Sequence, residues 1–141
     1  MIGPGGLTLI KRYEGLRLQS YLCPAGKWTI GYGHCEGVER GQTCTEQDAL
    51  KWLLDDISAA EQAVERLVEV PLTVNQRDAL ISFVFNLGSG NLGRSTLLHF
   101  LNKGNYPDAA QEFLKWVKVG GVPNAGLAKR RADEMALFQR A

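Results

Sequence analysis

A chain of 141 residues, 45% hydrophobic and 22% charged, has the size and make-up of one soluble globular domain with a buried core. No apolar run approaches the roughly 18 residues a membrane span needs, and Met1-Ile-Gly-Pro-Gly-Gly6 lacks the basic end and apolar stretch of a signal peptide. The net charge of +1 hides an asymmetry. Residues 1–70 carry seven Lys/Arg against ten Asp/Glu, and residues 71–141 carry nine against five. Such a balance permits an anionic partner, or simply an uneven solvated surface, and identifies neither.

The first apolar pattern, Leu7, Leu9, Ile10 and Tyr13, predicts a short helix that stops at Glu14-Gly15, glycine being the natural left-handed helix stop. Strand formers follow. Tyr21, Trp28, Ile30 and Tyr32 flank the turn signal Pro24-Ala-Gly26, so Leu18–His34 reads as a small β-hairpin, with a third strand near Val38–Thr43. Thr45-Glu-Gln-Asp48 resembles a capping box. Beyond it, Leu50, Leu53, Leu54, Ile57, Ala60, Val64, Leu67 and Val68 fall at helical spacing up to Pro71. That predicts one helix of about 23 residues, roughly 35 Å long.

A second start signal, Thr73-Val-Asn-Gln76, opens a helix that breaks at Gly88-Ser-Gly-Asn91. Further helices fit Ser95–Asn102, Pro107–Val117 and, after the loop Gly120-Gly-Val-Pro-Asn124, about Gly126 to Gln139. The layout is α+β: an N-terminal helix over 1–14, a β lobe over 15–44, a connecting helix over 45–70 and a helical lobe over 71–141. Two lobes in one domain make a cleft between them the natural ligand site.

Three cysteines, Cys23, Cys35 and Cys44, sit in the first third. None is spaced as C-x-x-C, so no structural zinc site is expected. An odd count leaves at least one thiol outside any intramolecular pair. Cys35 and Cys44 form the pair most easily joined, although a reducing compartment would keep both as thiols.

Glu14 is the most unusual placement. A helix C-terminus carries partial negative charge, so a carboxylate there is disfavoured by about 0.3–1 kcal/mol, and that field would help an acid keep its proton. Cys23 lies on the hairpin turn and Thr29 on the strand after it. A thiolate can act as base or nucleophile, and a threonine hydroxyl can hold a water. Each alone also has a plain structural explanation.

Their spacing goes further. Glu14, eight residues, Cys23, five residues, then Thr29, all within Tyr13-Glu-Gly-Leu-Arg-Leu-Gln-Ser-Tyr-Leu-Cys-Pro-Ala-Gly-Lys-Trp-Thr-Ile-Gly-Tyr-Gly-His34, resembles the phage-type lysozymes. These are the endolysins of glycoside hydrolase family twenty-four. Val84-Phe-Asn-Leu-Gly-Ser-Gly90, Ser95-Thr-Leu-Leu98 and Gly126-Leu-Ala-Lys-Arg-Arg131 continue the resemblance over nearly the whole chain.

What the resemblance implies is a lysozyme-like fold and an endolysin that lyses a bacterial host by cutting peptidoglycan, with no cofactor. Glu14 would be the general acid. Cys23 would stand where many members have aspartate, and Thr29 would position the attacking water. Asn86 would contact substrate, and Arg130 or Arg131 would orient the glutamate. His34 would be structural, and His99 a packed or surface residue. Trp28, Trp52 and Trp116 more often fill a core than stack on sugar.

Inverting glycosidases place a base about 6.5–9.5 Å from the acid. A thiol with pKa near 8.5 serves as that base only with help from a cation, a helix terminus or hydrogen bonds. Oxidation of Cys23, with Cys35 and Cys44 nearby, would silence the enzyme and make it respond to reductant. The partner implied is peptidoglycan rather than nucleic acid, met by a monomer that a holin releases from the host cytoplasm. The rival chemistry is a lytic transglycosylase, which needs one acid and leaves an anhydro end. A rival of another class is a non-catalytic wall-binding module.

Overall fold

In the computed structural model, which describes residues 1–140, the glycine-rich start is already helical. Helix α1 spans Pro4–Glu14, beginning before the apolar periodicity from Leu7 predicts. The cause lies far away in sequence. The Asp78 carboxylate accepts hydrogen bonds from the Gly3 and Gly6 amides at 3.0 and 3.1 Å, satisfying donors that a helix N-terminus leaves open. Asp78 is fully buried, and the backbones approach so closely that a Cβ on Gly6 would stand 2.7 Å from Asp78 Cβ. Gly6→Ala gains about 1 kcal/mol of helix propensity but must push that buried carboxylate aside. A net destabilisation of about 1–3 kcal/mol is expected in urea unfolding, and a variant as stable as the parent would refute the close fit.

The chain divides into two compact units, one holding Met1–Leu9 together with the chain from Ala60 onward, the other Ile10–Ala59. The divisions fall inside α1 and the long helix rather than at their ends. In the smaller unit, β1 (Arg17–Leu22) pairs antiparallel with β2 (Trp28–Gly31), setting Tyr21 opposite Thr29 and Leu22 opposite Trp28. A bulge interrupts β1 between Arg17 and Tyr21. The expected third strand shrinks to a single bridge between Gln19 and Thr43, because Gly37 and Gly41 both take positive φ and spend that segment on turns. Helix α2 (Glu46–Leu67) starts as its sequence demands. Thr45 N donates to Asp48 Oδ2 and Asp48 N to Thr45 Oγ1. Ile10, Ile30, Ala49, Leu53 and Ile57 form the core of this unit, at 1% exposure or less.

In the larger unit, α3 (Val74–Leu87) opens on a reciprocal Thr73–Gln76 capping box and ends at Gly88, φ 89°. The predicted break after it contains a helix of its own, α4 (Ser89–Gly93). Helix α5 is Thr96–Asn102, capped by Ser95. Helix α6, Tyr106–Glu112, ends earlier than predicted and tightens into a 3-10 turn over Phe113–Lys115. The Gly120 loop forms a two-residue hairpin, β3 (Lys118–Val119) against β4 (Val122–Pro123), with Gly120 and Gly121 at φ 56° and 80°, the positive values a tight hairpin requires. Asn124 caps α7 (Ala125–Gln139). Helix α3 packs on α7 and α5 on α6. Phe83 meets Phe113 and Trp116 edge-on, each at 5.6 Å between centroids, so Trp116 is a core residue.

Candidate active site

Glu14 is the last residue of α1. Gly15 N donates to Lys11 O at 3.0 Å, and at φ 68° this glycine turns the chain out of the helix. The half-buried Glu14 lies against the turn that follows β2: a Cβ on Gly33 would be 3.0 Å from Glu14 Oε1. That turn is closed by two bonds, Ile30 N to His34 O at 2.8 Å and His34 N to Ile30 O at 2.9 Å. It needs Gly31 and Gly33 at φ 68° and 82°, which explains the Gly-Tyr-Gly spelling. His34 is structural as expected. Its Nδ1 lies 2.9 Å from Asp56 Oδ2, and its ring stacks on Trp52 at 5.0 Å and 10°. Trp52 and Asp56, one turn apart on α2, thus hold the turn on which Glu14 rests.

Cys23 and Thr29 come together in the same unit. Cys23 N donates to Lys27 O at 2.9 Å and Gly26 N to Cys23 O at 2.8 Å, closing the hairpin loop around the thiol. A hydrogen bond from the Lys27 backbone N–H holds the Cys23 thiol below its usual pKa, against an upward push from burial. The Thr29 hydroxyl and the Ala25 and Cys23 amides also lower it. Thr29 is buried, and its hydroxyl donates to Lys27 O at 3.0 Å. With a single proton, that hydroxyl can serve the carbonyl or the sulfur, so ionisation of Cys23 favours its turning to the sulfur.

The disulfide allowed by the Cys35–Cys44 spacing is not formed: Cys23, Cys35 and Cys44 are three free thiols. The backbone commits the two residues to different places. Cys44 N is bonded to Leu18 O at 2.9 Å, tying it to β1, whereas Cys35 follows the Ile30–His34 turn and is exposed. Burial, with the nearby Asp48 carboxylate, pushes the Cys44 thiol up.

The predicted substrate contacts in the larger unit need correction. Arg131 has no exposed surface and Arg130 only 4%, so neither guanidinium faces a soluble sugar. Both belong to a buried cluster instead. Arg131 Nη1 donates to Glu134 Oε1 at 2.6 Å, Arg130 Nε lies 3.5 Å from Glu134 Oε2, and the Ser82 hydroxyl donates to Glu134 Oε2 at 2.5 Å. Burial pushes the Glu134 carboxyl up, while Arg131, Ser82 and Arg130 pull it back. Half-buried Asn86 accepts from Arg131 Nη2. Sequence reasoning missed Ser82, Asp56 and Glu134. Only Glu134 left a signal, three and four residues after the two arginines, where helix neighbours meet.

His99 is exposed and tilted beside Phe100 at 6.2 Å, and Trp28 is half-buried on β2. Two surface cavities in the larger unit, of about 350 and 520 Å³, are lined by Tyr106 and Phe138 and by Arg94 and His99 respectively. Neither includes Glu14, Cys23 or Thr29; the chemistry, rather than cavity size, marks the site. Among the described residues, no group of three or more His, Cys, Asp or Glu is placed to hold a metal ion.

The family model described as phage lysozyme matches residues 11–134. The chain is 48% identical over 144 residues to an endolysin of Acyrthosiphon pisum secondary endosymbiont phage 1, covering 99% of each sequence. Among solved structures, the muramidase domain of SpmX from Asticaccaulis excentricus matches at TM-score 0.93 and 41% identity, over 100% of this chain and 99% of that one. A mutant of P22 lysozyme matches at TM-score 0.91 and 41% identity, over 99% of both chains. A glutamate closing α1, a hydrogen-bonded Cys23–Thr29 pair on the hairpin and a match of this extent lead to one statement: the chain belongs to the phage lysozyme family.

Proposed function

We propose that this glycoside hydrolase, a peptidoglycan-degrading endolysin by its family, cuts the bond from N-acetylmuramic acid to N-acetylglucosamine by adding water. Glu14 protonates the glycosidic oxygen as the bond breaks, and positive charge develops on the sugar ring. The Cys23 thiolate takes the proton from the attacking water, and Thr29 orders the groups around it. When Glu14 regains a proton and Cys23 releases its own, the enzyme is reset. The reading is supported chiefly by the hydrogen bonds on Cys23, which favour the anion that a base requires. A thiol in an apolar pocket would argue against it.

Digestion of purified sacculi, followed by mass spectrometry of the fragments, tests the reaction. Hydrolysis leaves reducing muramic ends; a transglycosylase leaves anhydro ends, and their appearance as the main product would refute the reading. The family match does not favour that rival or a non-catalytic module. The proposal extends to a monomer released to the wall by a holin. Among the described residues, no helix is long and apolar enough to cross a membrane. Co-expression with and without a holin, scored by lysis, checks that route.

A further inference from the structure

Arginine carries five N–H donors and no acceptor, so a group that meets a buried guanidinium must offer oxygen. Arg131 is wholly buried. Glu134 grips one end of its guanidinium at 2.6 Å, and Glu134 is itself held by Ser82 at 2.5 Å. The other end, Nη2, faces Asn86. An asparagine amide has one accepting and one donating end, and only the accepting end can stand against Nη2. The Asn86 oxygen therefore points inward and its NH₂ group outward. Asn86 is half-buried rather than enclosed, and its Nδ2 makes no hydrogen bond among the described residues.

We propose that the Ser82–Glu134–Arg131 chain fixes Asn86 as a hydrogen-bond donor to an amide carbonyl of the wall polymer, either an acetamido group of the glycan or a peptide bond of its stem. A sugar hydroxyl both donates and accepts, so it would tolerate either orientation of the amide. A carbonyl only accepts, and a locked donor selects it. Asn86 thereby favours acylated strands, and Ser82, Glu134 and Arg131 are positioning residues that act through it. This rests on the hydrolase reading above.

Asn86→Asp keeps the shape and the inward oxygen while placing a second oxygen where the donor stood. On intact sacculi its KM should rise about tenfold with kcat nearly unchanged, the pattern of a lost binding contact. Two altered substrates identify the acceptor: strands chemically de-N-acetylated, and strands stripped of stem peptides by an amidase. On whichever lacks the true acceptor, wild type and Asn86→Asp should converge. An equal ratio of the two on all three substrates overturns the proposal. Ser82→Ala should raise KM in the same sense by a smaller factor, and an unchanged KM removes the positioning role. If the aspartate variant fails to fold, Asn86→Ala carries the same comparison. Wild type that leaves intact sacculi uncut would instead refute the hydrolase reading itself.

Discussion

Glu14→Gln is expected to lower kcat on purified sacculi by about a hundredfold to ten-thousandfold, the range a positioned general acid supplies. Glutamine has nearly the same shape and keeps an oxygen that can lie against Gly33, where Glu14 Oε1 stands 3.0 Å from the position of an added Cβ. What it cannot do is deliver a proton to the glycosidic oxygen. Binding to sacculi and the urea midpoint should therefore stay near those of wild type while turnover is lost. A glutamine variant that still solubilises sacculi within about fivefold of wild type would remove Glu14 from the chemistry, since no general acid is worth so little.

The second large effect belongs to Cys23. If its thiolate is the base, activity rises with pH as the thiol ionises. The Lys27 amide and the Thr29 hydroxyl lower that pKa, so the rising limb of kcat/KM should lie on the acid side of the ordinary thiol value near 8.5. Cys23→Ser should lose about a hundredfold or more, because a hydroxyl does not ionise in this range. Cys23→Asp should retain activity with its limb moved down towards the carboxylate range, near 4. Full activity in Cys23→Ser, or a limb that ignores the aspartate replacement, would assign the base elsewhere. Product stereochemistry adds an independent reading. Inversion fits a base, whereas retention with a sugar-modified Cys23 in mass spectra marks a nucleophile.

Much of this was legible in the chain because the signals are local. The Thr45 and Thr73 capping boxes each involve residues three apart, and both form as their spelling demands. Gly15 ends α1 directly after Glu14, since only a residue free of Cβ strain readily takes that conformation. The misreadings share a different cause. Helix α1 begins before its apolar pattern because Asp78 supplies the missing acceptors for Gly3 and Gly6. The run Gly120-Gly121, read as loop, pairs as a hairpin whose exposed Val119 and Val122 carry too short a pattern to announce a strand.

The active-site residues were named by spacing, but their working state was not. Sequence alone determined the element order, the helix caps and the Glu14–Cys23–Thr29 constellation, because each depends on neighbours within a few residues or on a motif in fixed register. Only the tertiary structure decided that Cys35 and Cys44 remain separate thiols, that Arg130 and Arg131 turn inward to Glu134, and that His34 finds Asp56 and Trp52 on α2. Those outcomes depend on burial and on hydrogen bonds between distant segments. Whether a charge faces water or a partner is settled only when the chain has packed.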